Sequence, residues 1–424
     1  MKENTATPFE GIIGYESIKK ELSLLLDELQ HEEKYANLGI KRPHAVLLEG
    51  QPGVGKTLFA EAFLKASGYH PFILRKGQAD GSFVSTIQTT FDQAIEQAPS
   101  IILLDDMDKY ADTEGRKDSN ADEYIVVQTK IDEIQDKKVF VLATLNDKDV
   151  LPESLLRPGR FGQILHLDPP EGKEAEAIIA YYLSQIKNLA PVDPVLISRM
   201  LDGKSCATLA AVVNEAAALA VFHQEKTISR EDLVNAILKL VYGALENSKE
   251  RNLLYLKETA YHEAGHTLMQ ELLEPGSVTF VSIKKFSADS EGYTFFKTHD
   301  DYFQDLRYMR NRIQMLLAGK AAVEIMCGKV DVGMSLDVSR AREIASRFPL
   351  DYCAYGFGFT EIRSDPSDFL RAREEARLSA ELENAYLTTR ETLFQHRDKL
   401  EALTEALLKK ETLFPEDIAS IVRS

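Results

Sequence analysis

The run Gly50-Gln51-Pro52-Gly53-Val54-Gly55-Lys56-Thr57 constrains this 424-residue chain more than any other feature, because it stands between an apolar segment, AVLLE, and a helical pattern, LFAEAFL. Glycines at this spacing let the backbone curl so that its N–H groups converge on phosphate oxygens, and the following helix adds the positive end of its dipole. Lys56 neutralises negative charge, Thr57 can ligate magnesium, and Leu58, next in the chain, closes the predicted contact run. A strand, a phosphate-cradling loop and a helix in that order predict an ATP-binding α/β domain.

Further short apolar runs alternate with helical patterns up to about residue 167: PFILR near 72, SIILLD near 101, VFVLAT near 140 and QILHLD near 164. That alternation predicts a parallel sheet. From about 170 to 245 the periodicity is helical throughout and ends in ISREDLVNAILKLV, where Ser229 and Asp232 have the spacing of a helix start. The charged stretch ENSKERN, 246–252, is the predicted linker. Beyond it the pattern is again mainly helical, with SVTFVSIKKF and GYTFF read as two strands near 277–296. The expected organisation is an α/β nucleotide-binding subdomain over 8–167, a helical lid subdomain over 168–245, the linker, and a mainly α-helical domain over 253–424.

Acidic and amide side chains fit the loop's chemistry. The run Ile101-Ile102-Leu103-Leu104 ends in Asp105-Asp106, which puts a carboxylate at a strand's C-terminal end, where magnesium and its waters would bind. Acidic residues also follow buried strands as turn groups, so the pair takes its meaning from the loop. A third strand runs to Thr144-Leu145-Asn146, and Asn146 can orient water against a terminal phosphate.

A second chemistry is written in KETAYHEAGHTLMQELLE, bounded by Pro275-Gly276. Helical periodicity there places His262 and His266 on one face with Glu263 beside them. Both imidazoles can reach one zinc ion, and Glu263 can take the proton from the water that attacks a peptide carbonyl. The other seven of the nine histidines are scattered and read as surface or packing residues. A catalytic zinc needs a third protein ligand; spacing offers Glu324 in AAVEIMCG or Asp337 in MSLDVSRAREIA and does not choose between them.

Bulk properties exclude other classes. A net charge of −17 leaves no basic surface for nucleic acid. No apolar run approaches the roughly 18 residues that span a bilayer, and the opening MKENTATPFEG is too polar for a signal peptide. The three cysteines, at 206, 327 and 353, lack paired metal-ligand spacing and suit a reducing compartment, each as a small buried apolar residue. A soluble, cytoplasmic protein is expected.

The series Gly50 to Thr57, Asp105-Asp106, Asn146 and Leu155-Leu156-Arg157-Pro158-Gly159-Arg160-Phe161 resembles the AAA+ ATPases. The resemblance implies that Arg157 and Arg160 reach into a neighbouring subunit's nucleotide site. With TAYHEAGH, LLAGKAAVEI, the segment containing Asp337 and RDKLEALTEALLKKETL added, nearly the whole chain resembles the FtsH family of ATP-dependent zinc metalloproteases. That family implies zinc, ATP and magnesium as cofactors, with zinc on His262, His266 and the aspartate at position 337. It implies a homohexameric ring that pulls unfolded or tagged proteins into a protease chamber. It also implies Ile12, Ile13 and Gly14 against the adenine, with Gly203 and Ala207 on the far side, and GYTFF as an edge strand along which substrate lies.

This chain departs from that family in four places. Asp106 stands where the family has glutamate and is one methylene shorter, a setback of about 1 Å, which can cost roughly 100-fold in rate. The pore loop is replaced by a shorter ADGSFVST, in which Phe83 is either the substrate-gripping aromatic or a core residue. The intersubunit signalling tripeptide becomes Asp132-Glu133-Ile134, without glycine or phenylalanine. Finally, the ATPase segment begins near residue 8 with FEGIIGYESIKKEL, without the membrane helices that relatives usually carry, so either the protein is naturally soluble or an anchor has been removed. If Asp106 slows turnover, the alternative expectation is a nucleotide-gated peptidase, or a chaperone or scaffold with slow ATP turnover.

Overall fold

In a computed structural model of the protein, which describes residues 8–39, 43–77, 83–113, 116–117, 122–201, 203–243, 253–284, 292–296, 305–330, 335–350, 352, 354 and 368–423, the apolar runs of the N-terminal half pair as one parallel sheet. The chain divides into two units, Met1–Ala236 and Ile237–Ser424. In the first, α1 (Glu16–Gln30) buries Ile18, Leu22, Leu25, Leu26 and Leu29, an apolar stripe at helical spacing, and the short α2 (Glu32–Ala36) follows. Next in chain order come β1 (Ala45–Glu49), α3 (Lys56–Ser67), β2 (His70–Leu74), α4 (Phe83–Glu96) and β3 (Ser100–Leu104). A small antiparallel pair, β4 (Asp112–Thr113) and β5 (Arg116–Lys117), leads to α5 (Asp122–Glu133), β6 (Val139–Leu145) and β7 (Gln163–His166).

The strand order is β2-β3-β6-β1-β7. Strands β3 and β6 are buried at every residue, as in a sheet covered on both faces, which is why their sequences are continuously apolar instead of alternating. One core lies between the sheet and α4 and α5, with Phe83, Ile87, Phe91, Tyr124, Val127 and Ile131 packed against Ile102, Leu104 and Val141. Parallel register then decides what meets at the sheet's C-terminal edge. Leu74 pairs with Leu104, Leu104 with Ala143, and Leu48 with Thr144, so Gly50, Arg75, Asp105 and Asn146 all emerge along that one edge.

Helices α6 (Gly172–Ser184), α7 (Pro194–Met200), α8 (Cys206–Phe222) and α9 (Arg230–Tyr242) follow. Side chains set their starts: Asp193 accepts from Val195 N, Ser205 accepts from Thr208 N, and Ser229 and Asp232 each accept from the other's backbone N–H, as their spacing predicts.

The second unit is built on α10 (Leu253–Leu273) and its neighbours β8 (Val278–Ser282), β9 (Tyr293–Phe296), α11 (Leu306–Cys327), α12 (Ser335–Leu350), α13 (Asp368–Gln395) and α14 (Arg397–Lys410). Two terminal elements, β10 (Thr412–Leu413) and α15 (Pro415–Val422), close it. Leu268, Ala322, Leu403, Leu407 and Val281 share one core; Phe348, Ala341, Leu316 and Ala385 share another. The sheet order is β10-β8-β9, antiparallel, so β9 is an edge strand among the described residues. The return of β10 to pair Thr412 with Ser282 had no signal in the sequence, because a two-residue strand has no period to read.

No helix among the described residues is long and apolar enough to cross a membrane. Cys206 and Cys327 carry no disulfide and are half-buried, not fully buried as expected. Cys353, the linker 246–252 and residues 79–82 of the pore-loop segment lie outside the described residues. Phe83 itself is described: at 7% exposure it stands edge-on to Tyr110, ring centroids 4.7 Å apart. Of its two readings the structure takes the core one.

Candidate nucleotide and zinc sites

Between β1 and α3 the backbone approaches its surroundings so closely that a Cβ on Gly50 would lie 2.1 Å from the Leu167 carbonyl oxygen. Gly55 caps α3 at φ 105°, a conformation that L side chains avoid, and so hands the chain directly from loop to helix with no side-chain cap over its first N–H groups. These features fit a phosphate-bearing nucleotide. Lys56 is 6% exposed; its Nζ donates to the carbonyls of Gly50 (2.7 Å) and Gln51 (3.0 Å) and to Asn146 Oδ1 (2.9 Å). Burial pulls its pKa down against the opposing charges of Asp106, Asp108 and Asp105. Pro52, Gly53 and Val54 complete the loop, and Gly53 accepts a hydrogen bond from Ala207 N at the start of α8.

Other predicted residues gather on this site. Asp105 is 1% exposed, with Oδ1 accepting from Thr144 Oγ1 (2.7 Å) and Thr57 Oγ1 (3.3 Å). Asn146 donates through Nδ2 to Asp108 Oδ2 at 2.8 Å, so one side chain bridges Lys56 and a buried carboxylate. Asp106 takes left-handed backbone angles (φ 53°, ψ 49°), and its Oδ2 accepts from Lys109 Nζ at 2.7 Å. Gly14 abuts Glu174 of α6, Ile13 is half-buried beside it, and the next residue, Tyr15, donates through N to Glu174 Oε1 at 2.7 Å. Gly203 turns the chain ahead of α8 at φ 67°. The Leu58 side chain, 52% exposed, faces solvent, which leaves its backbone as its means of contact. Arg157 is exposed, whereas Arg160 is tied within its own chain to Asp132 (2.9 and 2.7 Å) and the Ser154 carbonyl (2.6 Å). Sequence reasoning missed Arg75, Thr144 and Asp108, whose partnerships depend on strand register.

On α10, His262 and His266 fall on one face, their Nε2 atoms 3.0 Å apart. Asp337, in the first turn of α12, brings Oδ2 within 3.3 Å of His262 Nε2 and 3.4 Å of His266 Nε2. Three ligands at zinc bond lengths on a tetrahedron stand about 3.3 Å apart, so this donor set fits zinc. His266 Nδ1 lies 2.7 Å from the Met315 carbonyl, which fixes the tautomer with the Nε2 lone pair facing the cluster. Glu324, the other carboxylate that spacing allowed, is instead engaged by Lys320 and Tyr386.

The site's electrostatics favour a cation at its centre. Burial opposes charge on both His266 and Asp337, yet the hydrogen bond and charge of Asp337 push His266 up to about 9, and the hydrogen bonds and charges of His262 and His266 hold the Asp337 carboxyl well below the usual range. Burial raises the Glu263 pKa against the pull of the two histidines and Thr294. Thr294 on β9 donates through Oγ1 to Glu263 Oε2 at 2.7 Å, and so aims that carboxylate. Two glycines make room: a Cβ on Gly265 would lie 2.6 Å from the Ala318 carbonyl oxygen, and one on Gly319 would lie 2.5 Å from His262 Cε1. Neither these glycines nor Thr294 has a sequence signature of its role. Thr294→Val keeps the shape and removes the bond; we expect peptidase kcat to fall roughly 10-fold with unchanged zinc content, measured on a short fluorogenic peptide.

A phosphate-loop ATPase unit and a zinc-peptidase unit in one chain define an ATP-dependent metalloprotease. Residues 46–169 match the ATPase family associated with various cellular activities (AAA), and residues 249–421 match peptidase family M41. The chain is 29% identical to the ATP-dependent zinc metalloprotease FtsH 2 of Thermoanaerobacter sp. (strain X514), over 98% of this chain and 83% of that one. It is 31% identical to FtsH of Pseudomonas putida, over 99% and 73%, and 31% identical to FtsH 1 of Thermomicrobium roseum, over 97% and 68%. The chain belongs to the FtsH family of ATP-dependent zinc metalloproteases, with zinc, ATP and magnesium as its cofactors.

Proposed function

We propose that the protein works as a homohexameric ring in the cytoplasm, unfolding and degrading unfolded or tagged proteins processively. The observation that carries this reading is the convergence of His262, His266 and Asp337, with ligand atoms within 4.8 Å of one another beside a buried Glu263, in a chain whose phosphate loop is intact. His262, His266 and Asp337 would hold zinc, which would supply Lewis-acid polarisation of the scissile carbonyl and acidify water. Glu263, aimed by Thr294, takes the proton of the attacking water and passes it to the leaving amine. Strand β9, at the edge of its sheet among the described residues, suits the addition of an extended peptide as a further strand, a recognition that is blind to side chains.

At the other site, Gly50 to Leu58 would hold the nucleotide phosphates and Asp105 would hold magnesium. Asp106 and Asn146 orient the water that attacks ATP. Ile13, Gly14, Gly203 and Ala207 enclose the adenine, and Arg157 with Arg160 serves the neighbouring subunit's site.

Casein degradation tests the two sites together. With ATP we expect casein to be degraded, and with a non-hydrolysable analogue or no nucleotide we expect little degradation; Arg157→Ala should lower ATP turnover roughly 10³-fold or more. A specific observation favours a second reading, a nucleotide-gated peptidase with slow turnover. The Asp106 carboxylate is turned to Lys109, so the group that should orient water is engaged elsewhere. Equal casein degradation with ATP and with the analogue would select that reading.

A further inference from the structure

Arg75 directly follows β2, and the pairing of Leu74 with Leu104 sets it beside Asp105 as a matter of backbone register. Its guanidinium forks onto Asp105 Oδ2, through Nε at 3.0 Å and through Nη2. The opposite oxygen, Oδ1, already accepts from Thr144 and Thr57. Every hydrogen-bonding direction of this 1%-exposed carboxylate that faces the nucleotide edge is therefore in use, and one of its partners carries a full positive charge.

The two ends of this ion pair differ in freedom. Asp105 is fixed: its N–H donates to the Leu74 carbonyl at 2.9 Å, and its carboxylate is locked by the two threonines. The backbone around Arg75 is fixed too, because Tyr110 Oη donates to the Leu74 carbonyl at 2.8 Å and Lys76 Nζ reaches Glu123 Oε1 at 3.0 Å. The Arg75 side chain is 58% exposed, so it can rotate into water without opening a cavity. Magnesium placed beside Thr57 would bring a second cation to the carboxylate whose other oxygen Arg75 holds, and two cations at one carboxylate repel each other.

We propose that Arg75 contends with magnesium for Asp105, so that this site takes up magnesium only by releasing Arg75 from the carboxylate. The inference rests on the reading of Asp105 as the magnesium-side aspartate. Arg75 is a positioning residue that sets the magnesium requirement of nucleotide binding through Asp105.

The test is equilibrium binding of a fluorescent ADP to the full chain by anisotropy, titrated with magnesium chloride. In Arg75→Ala and in Arg75→Gln, the magnesium concentration for half-maximal tightening should fall roughly tenfold, the scale of one charge-assisted hydrogen bond. Arg75→Lys, which keeps the charge and loses the fork, should fall between these variants and the wild type. A wild-type midpoint in either neutral variant that keeps its folded circular dichroism overturns the inference; so does a lower melting temperature with the midpoint unmoved, which is what a merely structural ion pair would give. Asp105→Asn separates the premises. If it abolishes the magnesium dependence while the Arg75 variants match wild type, Arg75 alone was misread. If it leaves the dependence intact, the assignment of Asp105 fails.

Discussion

Replacing Glu263 with glutamine should lower degradation of an unfolded protein by about 10²–10⁴-fold while ATP turnover and zinc stoichiometry stay at wild-type values. Glutamine keeps the size of the side chain and can still meet Thr294 Oγ1, so the pocket that closes on Glu263 at 5% exposure is not refilled or emptied. What disappears is the ability to accept a proton at that position. His262, His266 and Asp337 keep their mutual distances because none of them relies on Glu263 for its orientation: His266 is held by Met315, and Asp337 by the two imidazoles. Metal analysis, a steady-state ATPase assay and casein degradation read out the three quantities separately. Degradation at the wild-type rate would show that the proton leaves by another group.

Gly319→Ala should strip the peptidase site of zinc while the chain remains folded. A methyl group there would lie 2.5 Å from His262 Cε1 and 2.6 Å from both His262 Nδ1 and His266 Nε2, well inside contact distance. His266 cannot retreat without giving up the Met315 carbonyl, and α10 cannot withdraw from α11 without opening the contact at Gly265. The substitution does not weaken the helix itself, since alanine is favoured over glycine in a helix interior by about 1 kcal/mol. We therefore expect zinc affinity to fall by roughly 100-fold or more, with unchanged helical content and unchanged nucleotide binding. Zinc retained at wild-type affinity under chelator competition would contradict the geometry.

The distance over which partners find each other explains what could be read from the chain alone. His262, Glu263 and His266 share one helix, and Gly50 to Thr57 share one loop, so their arrangement is local and their spacing suffices. Asp337 comes from a different helix; spacing left it level with Glu324, the family resemblance pointed to Asp337, and the structure sets Asp337 against both histidines while Lys320 and Tyr386 engage Glu324. Thr294, Gly319 and the Met315 carbonyl act through tertiary approach, and a backbone carbonyl leaves no mark in a sequence at all. The same holds for Arg75 and Thr144, which reach Asp105 because three strands are in register.

Phe83 is a different case, because the sequence left its two readings open. Phe83, Ile87, Phe91 and Ala94 recur at helical spacing and are all buried in the structure, which puts Phe83 in the core. The fold class was readable because continuous apolar runs mark the covered strands and helical periodicity marks the helices, and both report burial.

Lys56 has three acceptors before any nucleotide arrives, two loop carbonyls and the Asn146 amide oxygen. An incoming phosphate thus finds no idle donor in that ammonium and must trade places with oxygens that already hold it. The heat released at this lysine is the difference between two sets of bonds, and it is smaller than a count of new contacts suggests. If Lys56 turned to a phosphate, Asn146 would lose its hydrogen bond from the ammonium while its own bond to Asp108 could stay in place.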